Sequence, residues 1–352
     1  MPNQINKVAV LGAGVMGAGI AAHVANAGLP VVLLDIVPKG AENRNVIAEG
    51  AVAKMLKTKP APFTSARNAK LVSTGNFDDN MDMLSDCDLI LEVVIERLDI
   101  KQALYKKIDA VRKKGSIVTS NTSTIPLAQL IDGAPDGFAD DFAITHFFNP
   151  PRYMRLLEIV SGPKTKPEVT QALDAFCDVQ LGKGVVHCKD TPGFIANRIG
   201  TLWISAASRF AVEEGLTVED ADAVGGKPLG FPKTGIFGLI DLVGLDLGPH
   251  VAASMLASLP EKDMYRDVYV ESELTAKMIA DGYTGRKGKG GFYRINKEGG
   301  GKVKESIDLN TGEYAPSVKS TLGSAAAGKK GLRAVVEFDV KGGKYAWRML
   351  SH

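Results

Sequence analysis

The sequence predicts an α/β protein: a doubly wound, mostly parallel sheet, followed by a second, smaller all-α domain. Three observations carry this. Short apolar runs alternate with helical patterns through the first half of the chain, the signature of strand–helix–strand units. The first run passes into its helix through a glycine-rich turn. Beyond Thr191-Pro192-Gly193, strand candidates give way to helical patterning until Gly291-Phe292-Tyr293-Arg294. The expected domains are residues 1–189, 190–296 and an extension over 297–352, with Pro192 placed to start a helix.

The first unit of the alternation is the most specific. The apolar run Val8 to Leu11 leads into Gly12-x-Gly14-x-x-Gly17, a small-residue helix stopped by Gly28 follows, and the run Val31 to Leu34 ends on Asp35. Gly12 serves a tight turn, Gly14 allows a pyrophosphate to approach the backbone, and Gly17 lets helix and strand pack closely. Val15 and Met16 open the helix, whose free N–H groups and positive dipole end suit phosphate. Asp35 stands where a carboxylate accepts hydrogen bonds from an adenosine ribose. A glycine turn alone would leave Asp35 without a purpose, so the pattern predicts a Rossmann-type site for NAD.

Next comes a polar, alanine-rich helical segment over Ala41 to Lys57, closed by Pro60-Ala61-Pro62. Strand candidates follow at Leu71-Val72, Leu89 to Val94, Ser116 to Thr119, Phe142 to Phe148 and Leu156 to Val160, with a helix over Lys101 to Lys113. Chemistry in such sheets gathers outside the carboxyl ends of the strands. There the chain places Asp35, Glu96, Asn121, Ser123, His146 and Asn149.

Composition narrows the function classes. The 352 residues are 45% hydrophobic and 23% charged, and the formal net charge is +2. No global field points to nucleic acid or an anionic membrane, and no apolar run is long enough to span a bilayer. The first residues carry no signal-peptide pattern. Cys87, Cys177 and Cys188 are too few and too scattered for a disulfide framework or a metal site, and read as small buried hydrophobes. The expectation is a cytoplasmic protein with no metal. His23, His187 and His250 lack carboxylate or cysteine partners at ligand spacing and are expected to be bland.

His146 closes one apolar strand, and Glu158 lies inside the next, Leu156-Leu157-Glu158-Ile159-Val160. A buried carboxylate needs a partner. On one imidazole nitrogen it fixes the tautomer and leaves the other nitrogen to move a proton. Alcohol oxidation by NAD needs such a base, because hydride leaves carbon as the hydroxyl proton departs. A strand-end histidine can equally be structural.

Together, Val-Leu-Gly-Ala-Gly-Val-Met-Gly, Ser120-Asn121-Thr122-Ser123, His146-Phe147-Phe148-Asn149-Pro150 and Asp190-Thr191-Pro192-Gly193-Phe194-Ile195-x-Asn197-Arg198 resemble the L-3-hydroxyacyl-CoA dehydrogenase family, over about residues 5 to 296. The resemblance implies that His146 is the catalytic base and Glu158 its partner. It makes Ser123 and Asn197 catalytic and substrate-contacting groups. Cofactor contacts carry over to Asp35, Glu96, Lys101, Ser123 and Asn149, and to Lys287 from the second domain. Ser123 can donate to the substrate C3 oxygen. Asn197, on the first turns of its helix, could hold that oxygen or the thioester carbonyl, or simply cap the helix. By spacing alone, Glu96 and Lys101 read as solvated charges at a helix start.

In the family the CoA moiety binds after the second strand. Lys54, Lys57, Lys59, Arg67 and Lys70 cluster there, with Lys54 and Lys57 the substrate-binding candidates, although a charge run is usually a solvated face. The family's serine at this place corresponds to Ala51. Three functions compete: NAD-dependent oxidation of a 3-hydroxyacyl-CoA in fatty-acid β-oxidation, dehydrogenation of a small hydroxy or sugar acid without CoA, and a non-catalytic NAD-binding or structural role. Intact Ser123, His146, Glu158 and Asn197 argue against the last.

The chain continues past Gly291-Phe292-Tyr293 into a segment resembling the connector of larger bacterial β-oxidation enzymes that carry an enoyl-CoA hydratase domain. Tyr345, Trp347, Met349 and Leu350 give its end an apolar face. The expectation is either fusion to a downstream hydratase domain or a homodimer through the helical domain.

Overall fold

The protein was analysed as a computed structural model, which describes residues 4–298 and 300–351. Residues 1–3 of the N-terminal stretch, residue 299 and residue 352 therefore lie outside the described residues. The chain divides into two compact units, Met1–Ile195 and Ala196–His352.

The first unit is built on eight strands: β1 (Val8–Leu11), β2 (Val31–Asp35), β3 (Val72–Asn76), β4 (Leu89–Glu92), β5 (Ile117–Ser120), β6 (Phe142–Phe147), β7 (Leu156–Ser161) and β8 (Gly184–Cys188). Their order is β3-β2-β1-β4-β5-β6-β7-β8. All pairs are parallel except β6–β7. Helices α1 (Val15–Asn26), α2 (Val46–Met55), α3 (Leu98–Val111), α4 (Leu127–Leu130) and α5 (Pro167–Ala175) connect them.

Both faces of the sheet are covered, which is why its central strands read as unbroken apolar runs. Alternate residues point to opposite sides. Val8, Val10, Val31 and Leu33 join a core with Ile20 and Val24 of α1. Ala9, Leu11, Val32 and Leu34 join a second core with Leu104 and Ile108 of α3. Each valine or leucine so buried contributes about 1.5–3 kcal/mol.

The predicted strands are all present. The predicted helix over Ala41 to Lys57 shrinks to Val46–Met55. Ahead of it the Asn43 side chain accepts from the Asn45 N–H and donates to Glu49, a local bond that competes with helix. Strand β8 had no sequence signal, because its edge position leaves Gly184, His187 and Val186 largely exposed. Pro192 does not start a helix. It sits in a turn, and the next helix begins at Ala196.

The second unit is mainly helical: α6 (Ala196–Glu213), α7 (Val218–Val224), α8 (Phe237–Val243), α9 (Leu247–Ser258), α10 (Met264–Val268), α11 (Glu273–Ala280), α12 (Gly323–Ala327), α13 (Leu332–Phe338) and α14 (Val340–Ser351). It also holds a three-stranded antiparallel sheet, β11-β10-β9, from β9 (Tyr293–Asn296), β10 (Val303–Ile307) and β11 (Tyr314–Pro316). Residues 297–351 are thus not a detached extension. Ile307, Val335, Tyr345 and Ala346 join Phe210, Val224 and Phe237 in one core. Arg348 reaches Glu213 at 2.5 Å and Glu214 at 2.7 Å, with its guanidinium 3.9 Å from the Phe210 ring. The apolar end of the chain divides: Tyr345 is fully buried, whereas Trp347 and Leu350 remain exposed. No single helix among the described residues is long and apolar enough to cross a membrane.

One half-buried group gives the first unit a pH dependence. On α1, His23 donates from Nε2 to the Leu181 carbonyl at 3.0 Å, while its buried Nδ1 has no partner. Burial, reinforced by the Lys183 charge, lowers its pKa from 6.5 to about 4. The unfolded chain then takes up a proton that the folded unit refuses, so stability is lost as pH falls from 6.5 towards 4. Between pH 7 and 4.5, wild type should lose about 2–3 kcal/mol more than His23→Gln, which keeps a donor for Leu181. Urea unfolding at the two pH values checks this. Equal losses in both proteins would show that His23 does not take up the proton.

Candidate active site

The site starts where β1 gives way to α1. Gly12 has φ 110°, and a Cβ there would stand 2.5 Å from the Val93 carbonyl oxygen, so only glycine fits. A Cβ on Gly17 would strike the Gly12 carbonyl at 1.8 Å, which sets how closely the helix lies against the strand turn. At Gly14 a Cβ would meet nothing within 4 Å, and no side chain caps α1. The first-turn N–H groups, those of Val15 and Met16 among them, are thus left without a side-chain cap. At the end of β2, Asp35 accepts from the Ala13 N–H (2.5 Å) and its neighbour Ile36 (2.6 Å). Glycine loop and carboxylate are joined side by side, and a dinucleotide with its pyrophosphate on α1 and a ribose at Asp35 fits them.

The third strand end, β4, terminates in Glu92, which the sequence reading passed over. Its carboxylate is fully buried and accepts from Lys101 Nζ (2.7 Å), Tyr105 (2.8 Å), Ser120 (2.7 Å) and the Val94 N–H (2.8 Å). The signal was present: a lone acid closing Leu89-Ile90-Leu91 is the same anomaly that singled out Glu158. Lys101 is not a solvated charge, being 1% exposed, and also lies 3.2 Å from Glu96. Glu96 in turn accepts from the Ser123 N–H (3.1 Å), the Thr124 hydroxyl (3.1 Å) and the Thr122 hydroxyl. Burial works to raise the Glu96 pKa, but Lys101 and these donors outweigh it and hold the carboxyl below its usual range. Burial, then Glu92, pushes the Tyr105 phenol well up, keeping it a donor. Predicted cofactor residues Glu96 and Lys101 thus form, with Glu92, the frame under the Ser123 loop.

Strands β6 and β7 bring the base and its partner together. Their antiparallel register sets His146 directly opposite Glu158. Nδ1 of His146 lies 2.8 Å from Glu158 Oε2, both side chains being buried. The other carboxylate oxygen, Oε1, accepts the Ile195 N–H at 3.0 Å. Phe148 and Phe194 rings stand 4.4 and 5.8 Å from the imidazole. Asn121 accepts from the Phe147 N–H (2.9 Å), tying the end of β5 to the residue after His146. Exposed Asn149 opens the β6–β7 turn, which Lys183 braces by donating to the Met154 carbonyl at 2.8 Å and to the Pro151 carbonyl. Burial lowers the Lys183 pKa to about 8.

The remaining candidates are placed less tellingly. Lys54 and Lys57 are exposed at the end of α2. His187 is not partnerless: its Nε2 lies 3.0 Å from Asp174, on the surface. In the second unit, Asn197 lies on the first turn of α6, half-buried, and Lys287 pairs with Asp246 at 2.7 Å. That pairing lowers the Asp246 pKa.

Comparison with known proteins agrees with this arrangement. Residues 7–191 match the 3-hydroxyacyl-CoA dehydrogenase NAD binding domain, and residues 193–295 match the C-terminal domain of the same enzymes. NAD is the cofactor of the matched first domain. A putative fatty acid oxidation complex trifunctional enzyme of Rickettsia felis is 44% identical over 90% of this chain, which spans 44% of that relative. A probable 3-hydroxyacyl-CoA dehydrogenase of Deinococcus radiodurans is 42% identical, with 84% of each chain covered. The crystal structure of Mycobacterium tuberculosis FadB2 superimposes with a TM-score of 0.70 at 29% identity, covering 84% of this chain and 100% of that one. The chain spans less than half the length of its Rickettsia and Bacillus subtilis relatives. The chain belongs to the 3-hydroxyacyl-CoA dehydrogenase family.

Proposed function

We propose that this chain oxidises L-3-hydroxyacyl-CoA to 3-oxoacyl-CoA with NAD, as a step of fatty-acid β-oxidation in the cytoplasm. The observation that carries the reading is the buried His146–Glu158 pair, on the same sheet as a glycine loop fit for a dinucleotide. Bound NAD supplies the hydride acceptor. Glu158 holds Nδ1 and so leaves Nε2 of His146 to take the C3 hydroxyl proton, and to return it in the reverse reaction. Ser123, its loop fastened to Glu96, donates to the C3 oxygen. Asn197 holds that oxygen or the thioester carbonyl, and Asn149 and Lys287 contact the cofactor. Lys54 and Lys57, exposed and without carboxylate partners among the described residues, attract the CoA phosphates. The Rickettsia relative's name, fatty acid oxidation complex trifunctional enzyme, supports a role beside further activities of fatty-acid oxidation, with a hydratase the one proposed here. Exposed Trp347 and Leu350 support pairing of the helical unit with a second copy.

With acetoacetyl-CoA and NADH, His146→Gln should lower kcat by roughly two to four powers of ten while leaving NADH affinity nearly unchanged. Stopped-flow and fluorescence titration separate the two quantities, and near-normal turnover would remove His146 from the base role. Free 3-hydroxybutyrate should be a far poorer substrate than its CoA ester. Equal kcat/KM for the two would point to an acid without CoA.

Cofactor choice should follow Asp35, whose carboxylate repels a 2′-phosphate while no arginine follows in Ile36-Val37-Pro38. NADH is expected to be strongly preferred to NADPH, and Asp35→Ala should weaken NADH binding and narrow the preference. Comparable kcat/KM with both cofactors in wild type would contradict this.

A further inference from the structure

The segment that closes the first unit is fastened to the start of α4 at one end and to the His146–Glu158 pair at the other. Asp190 accepts from the N–H groups of Leu127 (2.8 Å) and Ala128 (3.1 Å), at the start of α4 and just beyond the Ser123 loop. Thr191-Pro192-Gly193-Phe194 then makes a tight turn closed by the Phe194 N–H on the Thr191 carbonyl at 2.9 Å. Proline and glycine at its two central positions, with Gly193 at φ 71°, fit a type II turn. The next two residues meet the dyad. Ile195 gives its N–H to Glu158 Oε1, and Phe194 sets its ring edgewise to the imidazole.

Phe194 does this from an unfavourable backbone. Among the described residues it is the one non-glycine residue at positive φ, 48°, and it is 5% exposed. A bulky side chain in the left-handed region is strained, and such strain persists where the surroundings over-determine it. Glycine would serve the turn better. The ring is therefore held for what it touches, and on the polar side that is His146. Phe148 also meets the same imidazole, its ring tilted at 55° and 4.4 Å away, while the Phe194 ring stands at 61°. Glu158 likewise divides its oxygens, Oε2 for the imidazole and Oε1 for the Ile195 peptide.

We propose that Phe194 and Ile195 are positioning residues of the reaction: the Ile195 N–H fixes the Glu158 carboxylate, and the strained Phe194 ring, set edgewise to the imidazole, fixes its plane. Neither moves a proton. They hold Nε2 of His146 in line with the substrate hydroxyl, and misplacement by an ångström at such a centre costs up to about a hundredfold in rate. The inference rests on the proposed role of His146, so His146→Gln belongs in the same experiment.

Phe194→Ala, Phe194→Gly and Phe194→Tyr are compared with wild type by melting temperature, NADH affinity, KM and kcat, at a temperature where all are folded. Ala and Gly both lose the ring, but Gly accepts the left-handed backbone and should melt higher than Ala. The expected result is a fall in kcat of roughly ten- to a hundredfold in both, with KM and NADH affinity little changed. Phe194→Tyr should recover most of the loss. A merely structural role would make kcat follow the melting temperatures, Gly above Ala. That order overturns the proposal, as does wild-type kcat in Phe194→Ala or a Tyr variant no better than Ala. If His146→Gln is itself fully active, the base assignment fails. If His146→Gln is crippled and the Phe194 variants are not, only the positioning role fails.

Discussion

A single hydrogen bond organises the first unit: Nδ1 of His146 to Glu158, across the one antiparallel pair of the sheet. In a parallel pair, partners at the carboxyl ends both stand at the edge of the sheet, as Glu92 and Ser120 do on β4 and β5. Reversing β7 sets the middle of that strand beside the last residues of β6, so both side chains sit on rigid, buried backbone. The burial matters energetically. A carboxylate with no water around it must be met by donors, and Glu158 is met by an imidazole and a peptide N–H. Removing the imidazole would break a buried ion pair, at a cost of several kcal/mol.

The same device recurs along the sheet. Asp35, Glu92 and Glu96 each follow or end an apolar run, Glu158 lies inside one, and each accepts at least one backbone N–H from a neighbouring loop. The acids thereby act as staples between strand ends and the loops that must approach a ligand. The loops gain fixed shape from hydrogen bonds as well as from the apolar side chains, such as Phe194, that they bury. Lys101 shows how tightly the staples are linked, since its buried ammonium joins Glu92 to Glu96 and so to the Ser123 loop.

Much of this could be read from residues alone, because the relevant signals are local. Periodicity marked the central strands, the glycine spacing marked the turn after β1, and an acid embedded in Leu156–Val160 announced a partner. Other features escaped because their cause is tertiary. Strand β8 has no apolar run, since it packs at an edge. Glu92 carries the same local oddity as Glu158, yet its partners come from α3 and β5, and no spacing rule gathers them. Lys101 looked solvated because a lysine near a helix start usually is, and only the fold buries it. The segment after residue 296 looked like a tail because its glycine and lysine content hides a few apolar residues that reach the second core.

That last feature bears on how such proteins can be recombined. The family-matched region of the second unit ends at residue 295, yet the compact unit runs on through α14. Ile307, Val335, Tyr345 and Ala346 fill the interior around Phe210 and Val224, and Arg348 clamps the last helix to α6. The interchangeable module is therefore longer than the region that the family models match. A chimera joined at residue 296 would inherit a core with one wall missing, whereas a seam beyond α14 would carry the whole interior across.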